Sequence, residues 1–150
     1  MNVMLGYYKN EEATKEVMLA DGWMKTGDLG VMDKDGFMYI KGRNKNVILG
    51  ASGQNIYPED IEEELHNSPY IQEALAIGAE GKVVALIFPD ADVMKEKQID
   101  AKDYTAVFDT EIKKINQTLP AYSKISSFRI KEKEFSKTPK RSIRRFKYTE

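Results

Sequence analysis

The sequence has no cysteine, one histidine and one tryptophan in 150 residues. Without cysteine, disulfides and cysteine-ligated metals are excluded and an intracellular setting is allowed; the location expected for the protein is cytoplasmic. The lone histidine, His66, has no second imidazole to share a metal with and no serine or aspartate at triad spacing. It reads as structural, at the end of a helix whose last turn favours a cation. No apolar run approaches the ~20 residues needed to span a bilayer. The opening MNVMLGYYKN has no basic flank leading into an apolar core, so no signal peptide is expected. A phosphate-cradling glycine loop of the Walker type is also missing.

What is present suits an ordinary folded core. Hydrophobic residues make up 41% and aromatics 10%, and the net charge is −1, which gives no global attraction to nucleic acid. The charge is uneven. From Lys124 to Glu150 there are ten Lys or Arg against three Glu. That basic end is either solvated or binds something anionic.

Local signals divide the chain into elements. Asn10 is a candidate N-cap for a short helix with Glu11 and Glu12 in its first turn, ended at Asp21-Gly22. Trp23–Thr26 reads as a short strand, 33–36 as a turn, and Phe37–Ile40 as a strand. After the break at 42–44, a strand is expected over Lys45–Leu49, then a loop from Gly50 to Gly53. Pro58–His66 is the clearest helix: proline suits its first turn, acidic residues crowd its positive end, and Ile61 and Leu65 form its apolar face. Glu59, Asp60, Glu62 and Glu63 offer a cation site or a solvated helix start, and the second reading is favoured. Ile71–Ile77 and Lys82–Phe88 flank a turn at 78–81 and predict a β-hairpin. Asp103–Thr118 predicts an amphipathic helix with Phe108, Ile112 and Ile115 buried and Val107, Glu111 and Lys114 on another stripe. Ser127–Lys131 is a last strand, and 136–150 is expected to be mostly extended.

The expected fold class is α+β: a small C-terminal lid domain, with a two-stranded hairpin and a small sheet flanked by helices. A fragment from the β-rich end of a larger N-terminal domain precedes it. The boundary is drawn at Gly42, giving 1–41 as the incomplete tail of the large domain and 42–150 as a mobile C-terminal domain.

Several residues are candidates for a site. Asp28, beside Gly27 and Gly30, could accept two hydroxyl hydrogen bonds, as a carboxylate does from a ribose, or could simply close an Asx turn. Arg43 could fork onto a phosphate or ribose oxygens, or form a surface ion pair. Gly50 and Gly53 bracket a loop where backbone could approach a ligand, or they are hairpin punctuation.

Taken in order, the segments 2–14, 21–30, 35–48 and 53–62 resemble the adenylate-forming superfamily of acyl-CoA and aryl-CoA synthetases, luciferases and peptide-synthetase adenylation domains. Their wordings include Asp21-Gly-Trp-Met-Lys-Thr-Gly-Asp-Leu-Gly, Gly36-Phe-Met-Tyr-Ile-Lys-Gly-Arg-Asn-Lys-Asn and Gly53-Gln-Asn-Ile-Tyr-Pro-Glu-Asp. Leu119-Pro-Ala-Tyr-Ser-Lys-Ile and the closing Lys137-Thr-Pro-Lys-Arg-Ser-Ile-Arg-Arg extend it. The wording around Tyr39–Asn46 is most similar to the long-chain fatty acyl-CoA ligase branch.

The resemblance implies an AMP-forming ligase acting in two steps. The carboxylate of a fatty acid attacks ATP to give an acyl-adenylate and pyrophosphate, and the CoA thiol then displaces AMP, with the small domain rotating between steps. ATP, Mg2+ and CoA would serve the full-length enzyme. The missing N-terminal domain would be the partner and would carry the triphosphate loop. Nucleic acid is not expected, and peripheral membrane contact is not indicated. Matched by position, Asp28 and Arg43 would bind the nucleotide, Lys45 would be the hinge, and Gly53 would line the CoA tunnel.

The departure lies at the end. Where the family reads Gly-Lys-Ile-x-Arg, this chain has Arg141 for the glycine and Ser142 for the adenylation lysine. If the segment is extended, residues 140 and 142 lie on one side about 6.5 Å apart, and Lys140 is the candidate substitute; the rival reading is an enzyme weak in adenylation but intact for the thioester step. The isolated chain is expected to be inactive. Alternative readings are a non-catalytic anion- or nucleic-acid-binding module resting on the basic tail, and a peptide-synthetase-type adenylation domain.

Overall fold

A computed structural model describes residues 2–149. The chain forms two compact units, Met1–Lys45 and Asn46–Glu150, so the division falls between Lys45 and Asn46.

In the first unit, α1 (Glu11–Val17) starts where the sequence signals it, with the Asn10 side chain accepting from the Ala13 N–H. Strand β1 (Asp28–Met32) pairs antiparallel with β2 (Met38–Arg43). They are joined by a turn in which Asp33 Oδ1 accepts from the Asp35 and Phe37 N–H groups and Gly36 takes φ 87°. The expected strand at Trp23–Thr26 is absent: only a single bridge, Met18 to Met24, forms there. Strand β2 runs through Gly42-Arg43, and the break comes one step later, as a 3-10 turn at Asn44–Asn46. The strand expected over Lys45–Leu49 is thereby reduced to β3 (Ile48–Leu49), which pairs with β4 (Asn55–Ile56). None of the described residues of this unit is fully buried, and Val31, Met32, Phe37, Met38 and Ile40 are all exposed.

The second unit holds the core. Strands β5 (Ile71–Ala79) and β6 (Lys82–Pro89) form the expected hairpin, closed by Glu80-Gly81 with both φ positive. Strand β7 (Ile125–Ile130) joins β6 in parallel. Parallel pairing needs a crossover, supplied here by α3 (Ala91–Glu96) and α4 (Tyr104–Thr118). Sequence reading missed α3, a short helix capped by the Asp90 side chain on the Asp92 and Val93 N–H groups.

Strands β5 and β6 read as nearly unbroken apolar runs because both faces of the sheet are covered. On one face, Ala74, Ala76, Val83, Ala85 and Ile87 pack with Ile61 and Leu65 of α2 (Pro58–His66) and with Phe108, Ile112 and Ile115 of α4. On the other, Leu75, Ile77, Val84 and Leu86 are closed by Phe135, Ile143 and Tyr148.

That second layer comes from the basic C-terminal segment, which is not extended. It folds back as a tight hairpin: Lys137 bridges Ile143, and the Arg144 N–H donates to the Ser136 carbonyl at 2.8 Å. Phe135 and Tyr148 meet edge to face at 5.1 Å. Composition made the segment read as a charged tail, but its three apolar side chains are what fix it to the sheet.

Candidate functional site

In the first unit, Asp28 opens β1 and Arg43 closes β2, and the two are register partners. Arg43 Nε lies 2.9 Å from Asp28 Oδ1, and Arg43 Nη1 donates to the Thr26 carbonyl at 3.0 Å. The Asp28 N–H donates to Thr26 Oγ1 at 3.1 Å. Gly27 makes the approach possible with φ 78°. A bulge follows, since Leu29 faces Gly42 while Gly30 faces Ile40. The pair is open, with side-chain exposures of 61% for Arg43 and 33% for Asp28, so both remain accessible to a ligand. Lys45 is exposed on the 3-10 turn at the division between the units.

In the second unit, the Gly50–Gly53 loop rests on the hairpin turn, with the Ala51 N–H donating to the Gly81 carbonyl at 3.2 Å. Gly53 takes φ 80°, and a Cβ built on it would meet nothing within 4 Å. Its backbone conformation therefore favours glycine, while the space beside it is open. Gly78 is the opposite case: a Cβ there would lie 2.7 Å from Ile48 Cγ2.

The closing hairpin carries Lys140 at its tip. The Thr138 N–H donates to the Ser142 carbonyl at 2.8 Å, and the Arg141 N–H to the Thr138 carbonyl at 2.9 Å. Lys140 and Ser142 therefore belong to a tight turn, and the extended geometry that placed them side by side does not occur. Both are exposed, as are Pro139 and Arg141. Arg141 takes φ 62°, the left-handed region that glycine would occupy without cost.

Below the tip, two carboxylates grip the legs of this hairpin. Glu73, buried on β5, accepts from the Phe135 N–H at 3.1 Å and forms an ion pair with Lys137. The carboxylate holds the Lys137 ammonium above its usual range. Glu62 on α2 takes Arg145 Nη2 on both oxygens at 2.7 Å, while Arg145 Nη1 donates to the Ala76 carbonyl at 2.8 Å. The Ala76 N–H returns a bond to Glu62 Oε1 at 2.8 Å. Burial pushes the Glu62 carboxyl up, against the pull of Arg145. Glu62 is thus not part of a solvated helix start.

Glu111 also departs from the sequence reading. It is buried and accepts from Ser68 Oγ at 2.8 Å and Lys114 Nζ at 2.6 Å. Among the described residues, no group of three or more His, Cys, Asp or Glu comes together as a metal-ligand set. No helix among them is long and apolar enough to cross a membrane.

Residues 45–150 match the AMP-binding enzyme C-terminal domain, and the chain belongs to that family. It is 35% identical, over 95% of its length, to the long-chain-fatty-acid–CoA ligase FadD15 of Mycobacterium tuberculosis, of which it covers 27%. O-succinylbenzoate coenzyme A synthetase of Bacillus subtilis, solved with AMP, matches 98% of the chain at 28% identity and a TM-score of 0.73, with 28% of that protein covered. The adenylation domain of a carboxylate reductase from Mycobacterium chelonae matches 95% of the chain with a TM-score of 0.84 and 20% identity, a likeness of fold, with 24% of that protein covered. The chain spans about a quarter of the length of the relatives it matches.

Proposed function

We propose that this chain is the C-terminal portion of an ATP-dependent acyl-CoA ligase. The parent enzyme adenylates a carboxylic acid and passes the acyl group to CoA. The observation that carries this reading is the family match over residues 45–150, joined to relatives that are CoA ligases several times longer than the chain. A long-chain fatty acid is the substrate we favour, on the likeness to FadD15. A cytoplasmic setting is part of the same proposal.

Asp28 and Arg43 are assigned to the nucleotide: the carboxylate accepts from ribose hydroxyls and the guanidinium contacts the neighbouring oxygens. Lys45 is assigned as the pivot, on its place at the division between the two units. Gly53 is assigned to the CoA tunnel, where the absence of a side chain leaves the thiol's path clear. Lys140, exposed at the hairpin tip, is assigned to meet the negative charge that develops on the phosphate during adenylation. Magnesium is assigned to the ATP phosphates, where it would neutralise phosphate charge.

The test is ATP–pyrophosphate exchange and acyl-CoA formation with the large domain restored, across carboxylic acids of increasing chain length. Exchange that depends on a long-chain acid, followed by CoA-dependent release of AMP, is the expected result. Full-length enzyme inert toward every carboxylic acid would overturn the proposal.

A further inference from the structure

Among the described residues, the tip of the closing hairpin hydrogen-bonds only to itself. Thr138, Arg141 and Ser142 bond only within the turn. Where Lys140 and Arg141 point is therefore decided by the two legs. Each leg ends on a carboxylate of a different element. On the outgoing leg, Glu73 of β5 takes both the Phe135 N–H and the Lys137 ammonium. On the return leg, Arg145 forks between two elements: Nη2 donates to both oxygens of Glu62 on α2, and Nη1 donates to the Ala76 carbonyl of β5. The Ser136 N–H, donating to the Tyr148 hydroxyl at 2.8 Å, ties the legs to each other.

Forked, charge-assisted bonds fix orientation as well as distance. The side chains involved are largely out of water: Arg145 and Glu62 are 17% and 16% exposed, and Glu73 is 11% exposed. The apolar layer under the hairpin would hold it to the sheet without them. Hydrophobic contact is non-directional, however, and would not set the angle of the turn.

We infer that Glu62 and Glu73 are positioning residues for adenylation: together they form a two-point clamp that aims the Thr138–Arg141 turn. This rests on the proposed ligase function. It adds that the presented cation is placed by carboxylates 60 to 80 positions earlier in the chain. The clamp matters for the step that uses the tip and not for the thioester step.

The test uses the enzyme with its large domain restored and three variants: Glu73→Gln, Lys137→Met and Arg145→Lys. Glu73→Gln opens one leg and leaves Lys137, 31% exposed, beside Glu134; Lys137→Met opens the same leg from the other side and leaves the Glu73 carboxylate with the Phe135 N–H. The third keeps the charge and removes the fork. Amide hydrogen exchange at Thr138 and Arg141 is expected to quicken about tenfold or more, while β5 and β6 amides keep their protection. The kcat of ATP–pyrophosphate exchange is expected to fall tenfold to about a hundredfold, the range that small misplacement of a catalytic group costs. Thioester formation from supplied acyl-adenylate should stay within about twofold of wild type. Wild-type amide exchange and adenylation in all three variants would overturn the clamp. So would equal losses in both half-reactions, which would mean general structural damage. A wild-type enzyme with no exchange at all would instead count against the ligase reading, and the amide measurement alone would then decide whether the carboxylates hold the turn.

Discussion

Asp28 and Arg43 face each other across the β1–β2 ladder, the guanidinium Nε 2.9 Å from the carboxylate. The sequence offers them as two separate ligand contacts fifteen positions apart. Their pairing makes them one unit, each holding the other's rotamer while both stay open to solvent. An exposed pair of this kind contributes at most about 1 kcal/mol to stability.

Arg43→Ala is therefore expected to leave the unfolding free energy within about 1 kcal/mol of wild type. In the restored enzyme it should raise KM for ATP about tenfold or more, the worth of a lost charge-assisted bond. Arg43→Lys should fall between, because an ammonium lacks the fork. Urea unfolding and steady-state kinetics on the same preparations check both halves.

Arg141 stands in the left-handed region at φ 62°. An L-residue there costs about 1 kcal/mol that glycine avoids. Arg141→Gly is expected to raise stability by up to about 1 kcal/mol, measured by urea midpoint at constant slope. A loss of stability would show that the guanidinium makes a compensating contact.

Substitution at two glycines should cost stability for different reasons. Gly78→Ala drives a Cβ to 2.7 Å from Ile48 Cγ2 and is expected to destabilise by about 1–3 kcal/mol through overpacking. Gly53→Ala meets no neighbour within 4 Å and should cost only about 1–2 kcal/mol for its positive φ. In the restored enzyme, Gly53→Ala is expected to slow the thioester half-reaction while adenylation proceeds.

Much of this was readable locally. Helix α2 carries its proline, its acidic first turn and its apolar pair within nine residues, and the β5–β6 hairpin announces itself by two apolar runs around a tight turn. What sequence reading missed depends on distant partners. Glu62 reads as a solvated acid until Arg145 arrives from 83 positions away. Glu111 reads as surface until Ser68, 43 positions earlier, is placed against it. The basic composition of the C-terminal segment hid the few apolar residues that bind it to the sheet. At the candidate site, Asp28, Arg43 and Gly53 were nameable from motif order, but the turn that holds Lys140 was not, because its legs are anchored on Glu62 and Glu73 of distant elements.

Glu111 also makes stability depend on pH. Burial pushes its carboxyl up, but the bonds from Lys114 and Ser68 outweigh that and hold it below its ordinary 4.5. A carboxylate with a depressed folded pKa contributes stability that is present above its unfolded value and is lost as pH falls through the folded one. Lys114→Met should therefore lower Tm at pH 6–7, and the gap from wild type should close as pH falls below about 4.5. Parallel Tm–pH curves would contradict this origin.

The most direct measurement is complementation. The large domain, produced without this chain, is assayed for acyl-CoA formation from a long-chain acid, ATP and CoA, and then with the chain restored to it by fusion. The account predicts no turnover from either part alone and robust, CoA-dependent AMP release from the fusion. Equal activity with and without this chain would contradict it.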